Sequence, residues 1–305
     1  MNGLVMKSTG SWYAVRGDDG RHYQCRTRGK LRLESIKETN PIAVGDRVEL
    51  AIDSAGVSIE KILERTNHML RQSVKKTGHA QVLAANIDQA LVVATHKQPR
   101  TSLGFIDRFL ASAESFRIPQ LVVINKRDLL TDDERADAEG WRTLYQSLGA
   151  QTFIISAEAD RNFDQLLAAL QNKVTLMAGH SGAGKSTLLN RLAPHVKQAV
   201  GEISDFSNKG THTTTFAEMF EIQPATFVID TPGVKEWGLV EMEPQEISDY
   251  FREMRDLRLH CRFGSRCLHV NEPTCAVRDA VEKKHIAPTR YKSYLSMVGG
   301  EDNRK

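Results

Sequence analysis

Thr175–Leu188 reads TLMAGHSGAGKSTL. A short apolar run, Leu176 to Ala178, enters Gly179-His180-Ser181-Gly182-Ala183-Gly184-Lys185-Ser186, and apolar residues at helical spacing follow at Leu188, Leu189 and Leu192. This is the phosphate-binding pattern G-x-x-x-x-G-K-[ST] in its required context, a strand before it and a helix after it. Glycines at 179, 182 and 184 let the backbone curl so that its N–H groups converge on an anion. The start of the following helix adds partial positive charge. In such a loop Lys185 reaches the β- and γ-phosphates and the Ser186 hydroxyl ligates Mg²⁺. The nucleotide-binding set expected here is Gly179, Ser181, Gly182, Ala183, Gly184, Lys185, Ser186 and Thr187. The stretch implies a nucleoside triphosphate ligand and a layered α/β domain around it.

Strand-like runs on either side end in further motifs. Residues 88–95 (DQALVVAT) have the pattern of a buried strand, and residues 102–116 that of a helix. The run 121–124 leads straight into Asn125-Lys126-Arg127-Asp128. After an acidic helical stretch, 132–148, the run 152–155 leads into Ser156-Ala157. Beyond the phosphate loop come a polar stretch, 204–215, and strand patterns at 216–222 and 226–229, the last ending in Asp230-Thr231-Pro232-Gly233. N-K-x-D suits guanine, because the Asp128 carboxylate can accept from both the ring N–H and the exocyclic amine, a pair adenine lacks at those positions. Asn125 would hold the loop or meet the O6/N7 edge, the Lys126 stem would lie on the ring, and Ser156-Ala157 would bring a backbone N–H to O6. Asp230 would hold Mg²⁺ through water and the Gly233 N–H would meet the γ-phosphate. The nucleotide is therefore expected to be GTP, bound with Mg²⁺, rather than ATP. In an ordinary GTPase the phosphate loop comes first, whereas here the guanine motifs precede it. The termini of a compact domain often lie close together, so the domain reads as circularly permuted. D-T-P-G then leads directly into the C-terminal segment, and its movement can be passed on.

The chain has 305 residues, room for two or three domains. Its net charge of +3 conceals +5 over residues 1–80, −7 over 81–250 and +5 over 251–305. Two basic flanks beside a nucleotide-binding centre suit a polyanionic partner. No apolar run approaches the ~18 residues of a membrane span, and the start lacks a signal-peptide core, so a cytoplasmic protein without membrane association is expected. Nothing in the pattern calls for more than a monomer.

Residues 1–70 carry strand signals at 11–16, 21–28, 46–52 and 57–63, separated by glycine turns. Four or five short strands suggest a small β-barrel of the OB-fold type, with Cys25 in its core and a basic face (His22, Gln24, Arg26, Arg28) that could meet nucleic acid. Residues 71–81 (RQSVKKTGHAQ) show no apolar periodicity and read as a mobile linker to the nucleotide-binding domain, 82–245. In residues 246–305 the spacing Cys261-x₅-Cys267-x-His269-x₅-Cys275 supplies three thiolates and one imidazole, a complete tetrahedral set for one structural Zn²⁺. Arg255, Arg258, Arg262 and Arg266 surround it and are candidates for RNA phosphates. Helices are expected at 276–284 and from 291, and a disordered tail after them.

With these residues in hand the chain resembles the bacterial ribosome small-subunit-dependent GTPases, the RsgA or YjeQ family. The resemblance is carried by AVGDRVEL (43–50), NKRD, GHSGAGKST, KGTHTTT (209–215), DTPGVKEWGL (230–239) and CRFGSRCLH with Cys275. It implies a multidomain α/β protein: an N-terminal OB-fold, a central circularly permuted P-loop GTPase domain and a C-terminal zinc-binding helical segment. It implies GTP hydrolysis in late maturation of the small ribosomal subunit, stimulated by that subunit and its 16S rRNA. By the family pattern Thr214 completes the Mg²⁺ shell, with Thr213 and Thr215 as alternatives, and His212 joins Lys185 and Gly233 in the catalytic set. His212 stands in because Val234 occupies the place where many GTPases carry a water-orienting glutamine. Two departures stand out. Thr211 replaces the arginine usual before this histidine, and Gly182 replaces the asparagine linked to potassium activation in related GTPases. A competing reading is an RNA-binding regulator that holds GTP or GDP with negligible turnover.

Overall fold

A computed structural model describes residues 1–27, 42–54, 56–72, 80–196, 217–231 and 242–300. Strands β1 (Asn2–Ser8), β2 (Tyr13–Gly17), β3 (His22–Thr27), β4 (Arg47–Asp53) and β5 (Gly56–Ile62) form the N-terminal barrel. It closes because β1 pairs with both β2 and β4, while β5 pairs with β3 and β4. Period-two alternation sends Val5, Tyr13, Val15, Cys25, Val48, Leu50 and Ile59 into one core. Cys25 is a core residue there, its thiol pushed up to about 11 by burial.

Strand β1 is the element the apolar pattern concealed. Val5 fills the barrel core, but its neighbour Met6 packs into the core of the central domain. Two adjacent apolar residues facing two different cores break the alternation, and the register slips between Val5 and Lys7.

The central sheet contains β8 (Gln89–Thr95), β9 (Gln120–Asn125), β10 (Gln151–Ile154), β11 (Val174–Gly179), β12 (Glu218–Gln223) and β13 (Thr226–Asp230). Its order is β10-β9-β8-β11-β13-β12, and β12 continues onto β1 of the barrel. All neighbours from β10 to β13 are parallel, and β12 runs antiparallel to β13. Every residue of β8 and β9 is buried, as a parallel sheet covered on both faces requires. Helices α1 (Leu103–Ser115), α2 (Asp132–Ser147), α3 (Asp164–Leu170) and α4 (Lys185–Leu192) cover it. The phosphate-loop strand β11 lies between β8, which precedes it, and β13, which follows it. The permuted chain thus rebuilds one sheet with every strand-end motif along one edge.

The stretch expected to be a linker is bounded by paired backbone. β6 (His68–Gln72) and β7 (Ala80–Ala85) form an antiparallel ribbon that takes in both of its ends; residues 73–79 lie outside the described residues. The apolar residues of these strands flank the stretch rather than lie in it: Met69 and Leu70 on one side and Val82 to Ala85 on the other are all buried. The AVGD turn ties the ribbon to the barrel: Gly45 has φ +91°, and a Cβ there would stand 2.1 Å from the Ala85 carbonyl oxygen. Asp46 is fully buried, with Arg65 Nε 2.7 Å from its Oδ1.

Among its described residues the C-terminal segment has three helices, α5 (Arg252–Arg255), α6 (Ala276–Glu282) and α7 (Pro288–Val298), with 3₁₀ turns between α5 and α6. Proline at the first position of α7 starts it earlier than the pattern suggested, where its missing N–H costs nothing. Phe251, Met254, Tyr294 and Met297 build a core that also takes Ala111 of α1. The expected tail, residues 301–305, lies outside the described residues.

Candidate functional site

The phosphate loop turns on its glycines. Gly184 caps α4 with φ +93°, and a Cβ there would meet Asn125 Nδ2 at 2.3 Å. Only glycine lets the loop approach the N-K-x-D strand end that closely. Lys185, the first residue of α4, is buried; its ammonium donates to the carbonyls of Gly179 at 2.8 Å and His180 at 3.1 Å. Burial lowers its pKa, against the pull of Asp230. Ser181, Gly182 and Ser186 are exposed along the mouth of the loop, Thr187 is half-buried and Ala183 is buried.

Asn125 holds three loops together. Its amide donates to the Ala183 carbonyl at 2.9 Å and accepts from the Ala157 N–H at 2.9 Å, with the side chain buried. The phosphate loop, N-K-x-D and Ser156-Ala157 are thus joined through one carboxamide. Arg127 N–H donates to the Ile155 carbonyl at 3.0 Å, and its guanidinium pairs with Asp160 at 2.5 Å. Asp160 also accepts from the Ser156 N–H at 2.8 Å. Lys126 is left-handed (φ +64°), and its ammonium donates to the Gln98 carbonyl. Asp128 stands exposed in the 3₁₀ turn beyond, its carboxylate open to a ligand.

The loop after β8 also belongs to this edge, and the motif reading missed it. Thr95 Oγ1 donates to the Pro99 carbonyl, and the Thr101 hydroxyl accepts from the Thr95 N–H at 3.0 Å. Pro99 Cδ comes within 3.4 Å of where a Cβ on Gly182 would stand. The available signal was position alone: a turn at the carboxyl end of a buried parallel strand, where ligands bind in open α/β sheets.

Asp230 ends β13 beside this edge. Burial pushes its carboxyl up to about 6, against the pull of Lys185, and Glu218 adds to the rise. Its Oδ1 is buried without a hydrogen-bond partner among the described residues, which fits a carboxylate that faces a hydrated cation. His212, Thr213, Thr214, Thr215, Gly233 and Val234 lie outside the described residues.

In the C-terminal lobe Cys261, Cys267, His269 and Cys275 are all buried, with their ligand atoms within 4.8 Å of one another. Cys261 Sγ lies 3.8 Å and Cys267 Sγ 3.9 Å from Cys275 Sγ, and His269 Nδ1 lies 3.5 Å and 3.3 Å from the sulfurs of Cys261 and Cys275. A tetrahedron with Zn–S bonds of about 2.3 Å has edges of about 3.8 Å, so the cluster fits zinc. Burial pushes the Cys267 thiol up to about 12; a bound cation would replace its proton. Glu272 braces the loop, accepting from the N–H groups of Leu268, Val270 and Asn271 at 2.7–3.0 Å.

Of the four arginines expected to face RNA, two are engaged inside the protein. Arg255 pairs with Glu114 at 2.5 Å and Arg258 with Asp249 at 3.4 Å. Burial alone would raise the Glu114 carboxyl, but Arg255 and Arg252 pull it below its usual value. Arg262 and Arg266 are exposed, beside the outward-facing Leu259 and Phe263. On the barrel His22, Gln24 and Arg26 are exposed, and Arg26 lies over the exposed Trp12 ring at 4.0 Å; Arg28 lies outside the described residues.

The RsgA GTPase family model matches residues 62–240, and the RsgA N-terminal domain model matches residues 2–59. A small ribosomal subunit biogenesis GTPase RsgA 2 of Bacteroides thetaiotaomicron is 45% identical over 306 residues, covering 100% of this chain and 98% of that protein. A small ribosomal subunit biogenesis GTPase RsgA of Cytophaga hutchinsonii is 46% identical over 308 residues, covering 100% of both. Among solved structures, YjeQ from Thermotoga maritima superposes with a TM-score of 0.76 at 34% identity, covering 100% of this chain and 99% of the other. YloQ, described as a circularly permuted GTPase, superposes with a TM-score of 0.73 at 28% identity, covering 100% and 96%.

Proposed function

The chain belongs to the RsgA GTPase family, a family of GTP hydrolases, and from that premise we propose that it hydrolyses GTP in late maturation of the small ribosomal subunit, with turnover stimulated by the subunit. The observation that carries the site is the Asn125 carboxamide, which joins the phosphate loop to both guanine loops. In this reading the Asp128 carboxylate accepts from the guanine N–H pair, the Ser156-Ala157 loop brings a backbone N–H near O6, and the Lys126 stem covers the ring. N–H groups of Gly182 to Thr187 surround the phosphates while Lys185 neutralises β- and γ-oxygens. Ser186, Thr214 and Asp230 would hold Mg²⁺, which supplies charge neutralisation between those oxygens when bound. His212 orients the attacking water and the Gly233 N–H meets the γ-phosphate.

The exposed basic face of the barrel, with Arg262 and Arg266 of the zinc lobe, contacts 16S rRNA. We assign the protein to the cytoplasm as a monomer. Among the described residues no helix is long and apolar enough to cross a membrane.

Val234 in place of glutamine favours slow intrinsic turnover, so a nucleotide-liganded RNA-binding regulator is the second reading. Phosphate release from GTP with and without purified small subunits, at low salt, separates the two. The proposal expects stimulation of tenfold or more; an equal rate with and without subunits would favour the regulator.

A further inference from the structure

The barrel grips the β12–β13 hairpin through side chains as well as backbone. β1 and β12 meet at one register pair, Lys7 with Glu218, and the Lys7 ammonium lies 2.8 Å from the Glu218 carboxylate. Within the hairpin Glu218 stands opposite Asp230. One cross-strand row therefore runs from the barrel through Lys7 and Glu218 to the carboxylate at the phosphate edge. A second row lies further along the hairpin. Arg16 of β2 donates to Glu221 at 2.7 Å, and its guanidinium stands over the Phe227 ring, 4.9 Å from the centroid. Glu221 and Phe227 are themselves opposite one another. Two barrel cations thus hold two rows of a hairpin that ends at Asp230.

We propose that Lys7 and Arg16 are positioning residues for GTP hydrolysis: they clamp the hairpin to the barrel, so that docking of the barrel on RNA is delivered to Asp230. The inference rests on Asp230 as the Mg²⁺-holding carboxylate. The side chains of both ion pairs are 27–39% exposed, and such pairs add little to overall stability. Their worth lies in register: Lys7 and Glu218 are opposite charges directly across neighbouring strands, which favours one alignment, and Arg16 reaches Glu221 across β1. A clamp that carries a change from barrel to site also carries one back: coupling of binding free energies is reciprocal, although effects on kcat need not be, so nucleotide bound at the site should also act on the barrel.

Two measurements on the full-length protein test the clamp. In subunit-stimulated hydrolysis, Lys7→Glu and Arg16→Glu should each lower kcat by about fivefold or more, the lower end of ordinary allosteric coupling, with KM for the subunit within about twofold. Lys7→Arg should retain the wild-type rate, and Arg16→Glu combined with Glu221→Arg should recover at least half of it. An unchanged stimulated kcat in both single variants, or a loss confined to KM that the charge exchange does not restore, overturns the proposal. The second measurement needs no ribosome: amide hydrogen exchange with Mg²⁺ and a non-hydrolysable GTP analogue. Residues 2–8 should gain protection together with 179–187, and the gain in 2–8 should vanish in Arg16→Glu. Protection of 179–187 with no change in 2–8 overturns the clamp while leaving the nucleotide site standing. No protection of 179–187 removes the reading of the site, and the clamp with it.

Discussion

Asn125 shows how one buried amide can set the geometry of a whole site. Its two hydrogen bonds, to the Ala183 carbonyl and from the Ala157 N–H, cross between loops 58 and 32 residues apart in sequence. Truncation to alanine leaves both backbone groups buried and unpaired, at about 1–3 kcal/mol each. Because these groups line the nucleotide edge, much of that cost should fall on ligand binding. Asn125→Ala is expected to weaken GDP by tenfold or more, about 1.4 kcal/mol, while the melting temperature of the ligand-free protein falls by only a few degrees. Fluorescent-GDP titration beside thermal unfolding checks both. Asp230 gives a pH prediction. Burial raises its carboxyl to about 6, so in the free protein it takes up a proton as pH falls through that value. Only the carboxylate attracts Mg²⁺. The Mg²⁺-dependent part of GTP binding should therefore hold above pH 7 and weaken up to tenfold per unit below 6, whereas Asp230→Asn should show a flat and weak response.

At the scale of elements, what the sequence revealed was whatever is local. The phosphate loop, N-K-x-D and the Cys₃His spacing each fit within fifteen residues, and their chemistry can be read without knowing the fold. Strand β1 could not be read that way, because Val5 and Met6 serve two cores and break the period. The engagement of Arg255 could not be read that way either, because its partner Glu114 lies 141 residues away and no local pattern announces it. The switch residues His212 and Thr214 are legible only through family resemblance, and lie outside the described residues. The zinc cluster, by contrast, can be tested as a unit. Cys275 contributes a cluster sulfur and also accepts from the Arg278 N–H at 3.5 Å at the start of α6. Metal binding in such small lobes is worth about 10–16 kcal/mol and is inseparable from folding. Colorimetric chelation is expected to find one equivalent of zinc in the wild-type protein and none in Cys275→Ser, and the amides of 261–282 should be freed to exchange in the variant. GDP affinity should stay within about threefold, because the lobe rests on Ala111 and Glu114 of α1, away from the phosphate edge.

Across the whole molecule, polar contacts that the apolar pattern does not announce add to the apolar packing of Met6 and Ala111 where the barrel, the central domain and the C-terminal lobe meet. The barrel meets the central sheet at β1 and the β6–β7 ribbon at the Gly45 turn; the C-terminal lobe meets α1 through a buried charge cluster. Arg290 of α7 reaches Asp107 at 2.6 Å and Glu253 at 2.7 Å, with Arg290 and Asp107 almost completely enclosed. Tyr145 of α2 donates to the same Asp107 carboxylate at 2.9 Å, and the Phe251 ring lies 4.4 Å from the guanidinium. Four elements, α1, α2, α5 and α7, therefore meet around the Arg290–Asp107 pair. Although burial alone disfavours its charge, Asp107 and Glu253 hold Arg290 protonated. Replacing a buried ion cluster wholesale with neutral groups is often harmless, but removing one partner leaves the others charged and dry, at about 3–5 kcal/mol. Arg290→Ala should cost that much in denaturant unfolding. The loss should appear first as exchange of α7 and the zinc lobe rather than of β8 or β9. Asp107→Asn and Glu253→Gln added to Arg290→Met remove the stranded charges and should recover most of the stability. If Arg290→Ala unfolds at the wild-type denaturant concentration, the cluster is not what docks the lobe, and the apolar contact around Phe251 and Tyr294 carries the joint instead.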